Sequence, residues 1–235
     1  MIRFIFMESV FLGGRIMELK DAIINRHSIR GFTNQSVSKE IVEDILKTAG
    51  YAVSSKNTQP WQYAVITGDV LKKIGEENVA QLRNGDGFDV PDTVYEGVYR
   101  TRQIDVAKKL FSAMEIGRED KEKRDWWMER GFRFFDAPVA IILYVDANMD
   151  NGITRFDVGA VTQLITVAAM EHGLGTCVAY QAVMYEKALR KHLGLGDDKK
   201  FIVGVALGYA DPEFAANAVL TGREEVSTLA QFYGF

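Results

Sequence analysis

The chain has 235 residues, 47% of them hydrophobic and 26% charged, which suits a globular protein with one large domain or two small ones. The formal net charge of −4 lacks the basic excess typical of nucleic-acid-binding proteins, so we expect no nucleic-acid partner. The single cysteine excludes an internal disulfide and predicts a cytoplasmic protein, and three histidines far apart in sequence give no reason to expect a metal site.

The first 16 residues, MIRFIFMESVFLGGRI, are interpreted as an N-terminal extension. Arg3 followed by apolar residues is weakly typical of a signal peptide, but Glu8 interrupts the apolar run and no small-residue cleavage site follows. The run is also shorter than the roughly 20 apolar residues that cross a bilayer, so we expect no membrane partner. Met17 is an alternative start, because a regular amphipathic pattern begins directly after it.

Residues 17–26 have apolar side chains at helical spacing and predict a helix, which gives way to extended chain in the segment RHSIR. In extended chain, alternate side chains point to the same side, so Arg26, Ser28 and Arg30 can point together. Such a triplet of donors suits a phosphate group. A solvated surface with nothing bound is the alternative, and for each arginine considered singly it is the simpler one.

The segment SVSKEIVEDILKTAGYA, residues 36–52, predicts a second helix, with Ser38 as the N-cap and acidic residues near the positive end of the helix dipole. Its predicted buried stripe consists of Ile41, Val42, Ile45, Leu46 and Ala49. The segment WQYAVITG, residues 61–68, alternates like a strand and stops at Gly68.

The segment VSSKNTQPW, between that helix and that strand, contains Ser54, Ser55 and Asn57. Hydroxyl and amide groups both donate and accept hydrogen bonds, which suits the polar edge of a ring-shaped ligand. A capped turn without a ligand explains the same residues, so the sequence leaves both interpretations open at this point.

Residues 83–136 differ from the rest of the chain in their density of charged and aromatic residues. We interpret the charges as a solvated helical face and the aromatic residues as packing residues. A helical insertion of this composition also suits a lid over a flat ligand. The aromatic residues in question are Trp126, Trp127, Phe132, Phe134 and Phe135.

The C-terminal part of the chain is dominated by apolar runs. The segment APVAIILYVD predicts a strand buried on both faces, and FIVGVALGYAD predicts another. Between them, residues 155–173 predict a central buried helix that ends near Gly173. TCVAY predicts a short strand or loop and YEKALRKHLGL a further helix, and the tail places Val226, Leu229 and Phe232 on one face.

Several catalytic motifs are missing from the sequence. There is no phosphate loop of nucleotide hydrolases and no Gly-x-Ser-x-Gly turn. The segment GLGTCV, residues 173–178, lacks the third glycine of a dinucleotide fingerprint and follows a helix instead of a strand. Cys177 lies in an apolar segment, so we interpret it as a buried structural thiol although His172 is near in sequence.

Three segments, in their order and spacing, resemble the nitroreductase family of flavin mononucleotide (FMN) enzymes. They are MELKDAIINRHSIRGF, AGYAVSSKNTQPWQYAVITG, and the stretch from HGLGTC through LRKHLGLGDDKKFIVGVALGYADP. The resemblance covers residues 17–235 as a single domain, with a helical lid insertion at about 83–136. It implies an α+β fold in which a central, mostly antiparallel sheet is flanked by helices.

The resemblance also implies a flavin site. Arg26 and Ser28 would bind the phosphate, and Arg30 would lie near the polar edge of the flavin ring, where a cation favours the anionic reduced form. Tyr180 and Gln181 occupy the positions whose backbone approaches the flavin N5. The full predicted set is Arg26, His27, Ser28, Arg30, Ser54, Ser55, Asn57, Tyr180, Gln181 and Arg223, where His27 replaces a common arginine and Arg223 is a late phosphate-binding cation.

In the family, the segment that contains Ser54, Ser55 and Asn57 comes from the opposite subunit, so the resemblance implies a homodimer with flavin sites at the interface. It implies that NADH or NADPH reduces FMN, and that a nitroaromatic, quinone or flavin then takes the electrons. The flavin carries this chemistry, so no side chain is predicted as a catalytic acid, base or nucleophile. Reductive dehalogenation, flavin cleavage and non-catalytic flavin binding remain the alternatives.

Overall fold

The computed structural model describes residues 18–90 and 93–235. The predicted extension over residues 1–16 and the alternative start at Met17 lie outside the described residues. Within these ranges the chain forms four strands, eight α-helices and several short 3₁₀ turns. No helix in the described part is both long and apolar enough to cross a membrane.

The four strands form one antiparallel sheet. They are β1 (Gln62–Thr67), β2 (Val139–Asp146), β3 (Gly175–Ala179) and β4 (Lys199–Gly208), in the order β1-β2-β4-β3 across the sheet. Every neighbouring pair is antiparallel. The predicted α+β fold with a central antiparallel sheet is therefore confirmed, and the segment TCVAY contributes a strand.

The sheet is buried on both faces because β2 and β4 are apolar at consecutive positions. On β2, Ile141 and Leu143 pack into one core, while Ala140 and Ile142 point into the other. The sequence pattern of a continuous apolar run had predicted this burial on both sides.

Eight helices surround the sheet in the described part: α1 (Leu19–Asn25), α2 (Lys39–Ala49), α3 (Gly68–Asn84), α4 (Gly97–Ala113), α5 (Lys121–Phe132), α6 (Gly152–Glu171), α7 (Glu186–Leu193) and α8 (Val226–Leu229). Helices α2 and α6 pack on one face of the sheet, and α3 and α7 pack on the other. Ser38 caps α2 as predicted, because its hydroxyl accepts a hydrogen bond from the Ile41 amide at 3.4 Å.

Two sequence interpretations need correction. Helix α3 is not among the predicted elements; it begins at Gly68, the residue where the predicted strand ends. In α5 the interpretation of the charges as a solvated face is wrong for Glu129 and Arg130, both of which are buried. Packing of Phe132, Phe134 and Phe135 is confirmed by their burial, whereas Trp126 is half-exposed.

Candidate functional site

The segment RHSIR runs extended along the edge of the sheet, as predicted. Ser28 pairs with Thr176 of β3 in a parallel bridge, and the Ile29 amide donates to the Thr176 carbonyl at 2.9 Å. Beyond this bridge, the Thr33 amide donates to the carbonyl of Tyr209, just after β4. These bonds fix the backbone from which Arg26, Ser28 and Arg30 project.

Asn217, which is not among the predicted site residues, holds the same segment from the C-terminal side. Its side-chain oxygen accepts from the Arg30 amide at 2.7 Å and from the Gly31 amide at 3.1 Å. Its Nδ2 donates to the carbonyls of Gly31, at 2.8 Å, and Asp211, at 2.9 Å. All the hydrogen-bonding capacity of this amide is used, and Asn217 is only 9% exposed.

His27, a predicted binding residue, is engaged by the backbone on both sides of its ring. Nδ1 lies 2.9 Å from the Asn25 carbonyl oxygen and Nε2 lies 3.0 Å from the Asn217 carbonyl oxygen. Both nitrogens therefore have backbone partners, and in this arrangement the ring ties α1 to the C-terminal segment.

Arg30, Tyr180 and Gln181 line one cavity of about 410 Å³, a volume within the usual range of ligand pockets. Helices α4 and α5 contribute an apolar wall to this cavity, including Phe111 and Trp127, whose rings meet edge to face at 6.5 Å. The structure thus brings Arg30 together with Tyr180 and Gln181, which are about 150 positions away in sequence. The cavity is lined by Arg30, Gln103, Val106, Ala107, Leu110, Phe111, Trp127, Met128, Phe135, Cys177, Val178, Ala179, Tyr180 and Gln181.

Gln181 connects the cavity to helix α5. Its Nε2 lies 3.3 Å from the sulfur of Met128, and its side chain fills the space beside Gly131. A Cβ added at Gly131 would lie 1.8 Å from the Gln181 side-chain oxygen, so a larger residue at position 131 would displace the Gln181 amide. The Gln181 side chain therefore packs directly against helix α5.

Cys177 lies buried on the wall of the cavity, which agrees with its interpretation as a structural thiol. Burial raises the pKa of this thiol, and the nearby Arg30 charge and the Ser28 hydroxyl only partly oppose that increase. The thiol form is therefore favoured at neutral pH, and Cys177 is not an activated nucleophile.

Arg26 and Arg223 bring two positive charges together at one end of the segment. Burial lowers the pKa of Arg26, and the charge of Arg223 lowers it further. Within the described residues, neither arginine forms an ion pair, and Arg223 donates only to the backbone and hydroxyl oxygens of residues 221–222. Two neighbouring cations without a carboxylate partner suit an anionic ligand such as a phosphate monoester.

Ser54, Ser55 and Asn57 lie away from this cavity in the single chain, because none of the described residues that line it belongs to their loop. The loop is anchored on α6 by a 3.1 Å hydrogen bond from the Ser55 amide to Asp157. Lys56 and Asn57 have positive φ angles of 51° and 59°, an uncommon conformation for non-glycine residues. This backbone presents the polar side chains of the loop at the surface.

Among the described residues, no group of histidine, cysteine, aspartate and glutamate is arranged to hold a metal ion. The cations and polar groups of the site are instead arranged along one strip. This strip runs from the Arg26–Arg223 pair, past Ser28, to the cavity at Arg30. Its order of charged, polar and apolar surroundings suits a ligand with a phosphate at one end and a flat ring at the other.

Comparison with known proteins gives a consistent answer. Residues 23–209 match the model of the nitroreductase family. The chain is 36% identical to nitrobenzene nitroreductase of Ectopseudomonas oleovorans over 220 residues, which cover 91% of this chain and 96% of that protein.

Two solved structures of nitroreductases named NfnB resemble the fold closely. The FMN- and NADPH-dependent NfnB from Sphigopyxis sp. strain HMH superposes with a TM-score of 0.87 at 29% identity, covering 93% of this chain and 100% of that one. The FMN-dependent NfnB from Mycobacterium smegmatis, in complex with NADPH, gives 0.85 at 27% identity, with 91% and 97% covered. The sheet, the strip of cations and these matches agree: the chain belongs to the nitroreductase family.

Proposed function

We propose that this protein is an FMN-dependent oxidoreductase that passes electrons from NADH or NADPH to a small nitroaromatic acceptor. The observation that carries the proposal is the strip that joins the Arg26–Arg223 cation pair to the apolar cavity at Arg30. The nitroreductase relatives supply the reaction class. Quinones and free flavins are further acceptors of the same kind, small and flat.

The residues present fit FMN. Arg26 and Arg223 would hold the phosphate, with the Ser28 hydroxyl between them and the cavity. Arg30, Tyr180 and Gln181 line the volume that would take the flavin ring. FMN held by these residues would supply the redox chemistry, taking up a hydride from the reduced nicotinamide and passing electrons to the acceptor.

The chain's own side chains bind, orient and exclude water. Arg30 places a positive charge at the cavity, which favours negative charge on a ring bound there. Phe111 and Trp127 form an apolar wall of the lid, which lowers access of water to the cavity. Cys177, which also lines the cavity, stays a neutral thiol because burial raises its pKa.

The active unit is proposed to be a homodimer, since the 54–57 loop would complete the site of a second copy. Its support is a set of exposed apolar side chains on the single chain. Phe156 on α6 is 71% exposed, and the predicted tail face of Val226, Leu229 and Phe232 is exposed as well. Large apolar groups in such numbers are typical of a protein-protein interface.

We therefore expect a dimer of about 53 kDa, twice the 26.4 kDa chain mass, in light scattering at micromolar concentration. Interfaces of obligate dimers bury more than about 2,000 Å². Phe156→Glu should weaken dimer formation and flavin content together, whereas Val70→Glu, at an exposed valine of α3 on the opposite side of the sheet, serves as the surface control. A monomer with full flavin content would contradict the dimer proposal.

The flavin itself is the next test. Purified protein should be yellow, and heat should release FMN without a covalent link, as identified by chromatography. With FMN bound and oxygen absent, consumption of NADPH or NADH beyond one equivalent per flavin should require an added acceptor such as nitrobenzene. Release of flavin adenine dinucleotide alone would contradict the cofactor assignment, and flavin without turnover on any acceptor would indicate a non-catalytic flavin protein. The cytoplasm is the proposed location, because the one thiol is free and buried.

A further inference from the structure

Arg130, near the end of the lid helix α5, carries a guanidinium that is almost completely buried, with only 8% of the residue exposed. Its Nη2 donates to the Arg30 carbonyl at 2.7 Å and to the Phe135 carbonyl at 3.0 Å. Its Nη1 donates to the Asp136 carboxylate at 2.7 Å. One side chain of the lid therefore bonds directly to the backbone of the segment RHSIR.

Aromatic rings enclose this guanidinium. Its central carbon lies 5.1 Å from the centre of the Trp126 ring and 4.7 Å from the centre of the Phe214 ring. Phe214 also covers Gly31, where a Cβ would lie only 2.1 Å from the Phe214 ring. The ring thus packs against both the guanidinium and the residue that follows Arg30.

The buried position costs free energy. Burial lowers the pKa of Arg130, although the nearby Asp136 charge opposes that effect. Its Nε is buried and has no hydrogen-bond partner among the described residues. In return, the planar guanidinium donates to three oxygens at once, those of Arg30, Phe135 and Asp136. A lysine ammonium group lacks this fixed planar geometry, which explains why arginine is used here.

Arg30 is consequently held at both ends of its own backbone. The Asn217 side chain accepts from its amide, and Arg130 donates to its carbonyl. We propose that Arg130 is a positioning residue, which fixes the Arg30 backbone so that the Arg30 side chain is held at the flavin cavity. This inference rests on the proposed function, since it assigns to Arg30 a cation that acts on bound FMN.

The same helix reaches the cavity itself. Trp127 and Met128, both on α5, line the cavity, and Met128 contacts Gln181. Through Arg130, the placement of α5 and the placement of Arg30 are coupled. The lid would then influence the redox step as well as the access of substrate.

The test is a double-mutant cycle on the flavin midpoint potential, measured by dye-coupled titration of FMN-saturated protein. Arg130→Met should make the potential more negative in the wild-type background. In the Arg30→Ala background, the same substitution should leave the potential unchanged within error, because the positioned cation is already missing. An equal shift in both backgrounds would overturn the proposal, since Arg130 would then act directly or through general loosening.

Two further variants separate geometry from charge and from stability. Arg130→Lys keeps the charge but cannot reach all three oxygens, so it should shift the potential like Arg130→Met, and it carries the test alone if that variant does not fold. Asp136→Asn removes the ion pair but leaves the bond to Arg30, so the potential should stay at the wild-type value while thermal stability falls. A wild-type potential in Arg130→Lys, or a shift in Asp136→Asn as large as that in Arg130→Met, would contradict the positioning role. Failure of wild-type protein to bind FMN would instead contradict the proposed function.

Discussion

Replacement of Arg26 by alanine is expected to weaken FMN binding about ten- to a hundredfold, because one charge-assisted contact to the phosphate contributes roughly 1.5–3 kcal/mol. Arg26 lies close enough to Arg223 for the charge of Arg223 to lower its pKa, and neither has a carboxylate partner in the described part of the chain. Fluorescence titration of apoprotein with FMN measures the loss. Arg223→Ala should reduce affinity by a similar factor.

Riboflavin provides a matched control for this prediction, because it lacks the phosphate. Arg26→Ala should leave riboflavin affinity close to the wild-type value while it lowers FMN affinity. Equal losses for both ligands would show that Arg26 supports the fold instead of the phosphate. Unchanged FMN affinity in both Arg26→Ala and Arg30→Ala would mean that the triplet is only a solvated surface.

Arg30→Ala should differ from Arg26→Ala in kind. Arg30 lines the cavity with Tyr180 and Gln181, so its loss should make the flavin midpoint potential more negative, since a reduced anionic ring loses its cation. Arg26→Ala should leave the potential near the wild-type value when FMN is saturating. An equal shift in both variants would show that the two arginines do not have separate roles.

Substitution of Asn217 by alanine is expected to lower the free energy of unfolding by about 3–5 kcal/mol, since a buried amide with four hydrogen bonds is removed. Two of its partners, the amides of Arg30 and Gly31, would be left without their acceptor. Urea unfolding of the apoprotein, followed by circular dichroism, measures the change. FMN affinity should fall as well, because the segment RHSIR, which we propose binds the flavin, loses its anchor.

The control for this substitution is Asn148→Ala, at an exposed asparagine in the turn after β2, which should change stability by less than about 0.5 kcal/mol. Asn217→Asp tests the two amide donors, because it keeps the acceptor but places a carboxylate beside two carbonyl oxygens. It should also be destabilising. Wild-type stability in both Asn217 variants would contradict the anchoring role.

Much of this site could be predicted from local sequence. The alternation of Arg26, Ser28 and Arg30 indicates extended chain, and this holds because Ile29 between them bonds to β3. The apolar run of β2 indicates burial on both faces, because polar residues there would have no partners. Both the extended segment and the buried strand depend on residues that are neighbours in sequence, so a local pattern is enough to predict them.

The missed features depend on contacts that are distant in sequence. Asn217 bonds to residues 186 and 187 positions away, and no local pattern marks it among ordinary loop asparagines. Arg130 lies in a charge-dense stretch that is typical of a solvated helix, and only tertiary packing against Phe214 buries it. Helix α3 is a different case, because its sequence does carry a local signal. Leu71, Ile74 and Val79 lie on its buried side, at helical spacing, but Gly68 also marks the end of the preceding strand and hides the start of the helix.

The most direct test of the central claim separates the two half-reactions without oxygen. FMN-loaded protein is mixed with NADPH, and separately with NADH, in a stopped-flow instrument while the flavin absorbance is followed. At least one nucleotide should bleach the flavin, and subsequent addition of nitrobenzene should restore the oxidised spectrum. A flavin that neither nucleotide reduces, or a reduced flavin that nitrobenzene and other nitroaromatics leave unchanged, would contradict the account.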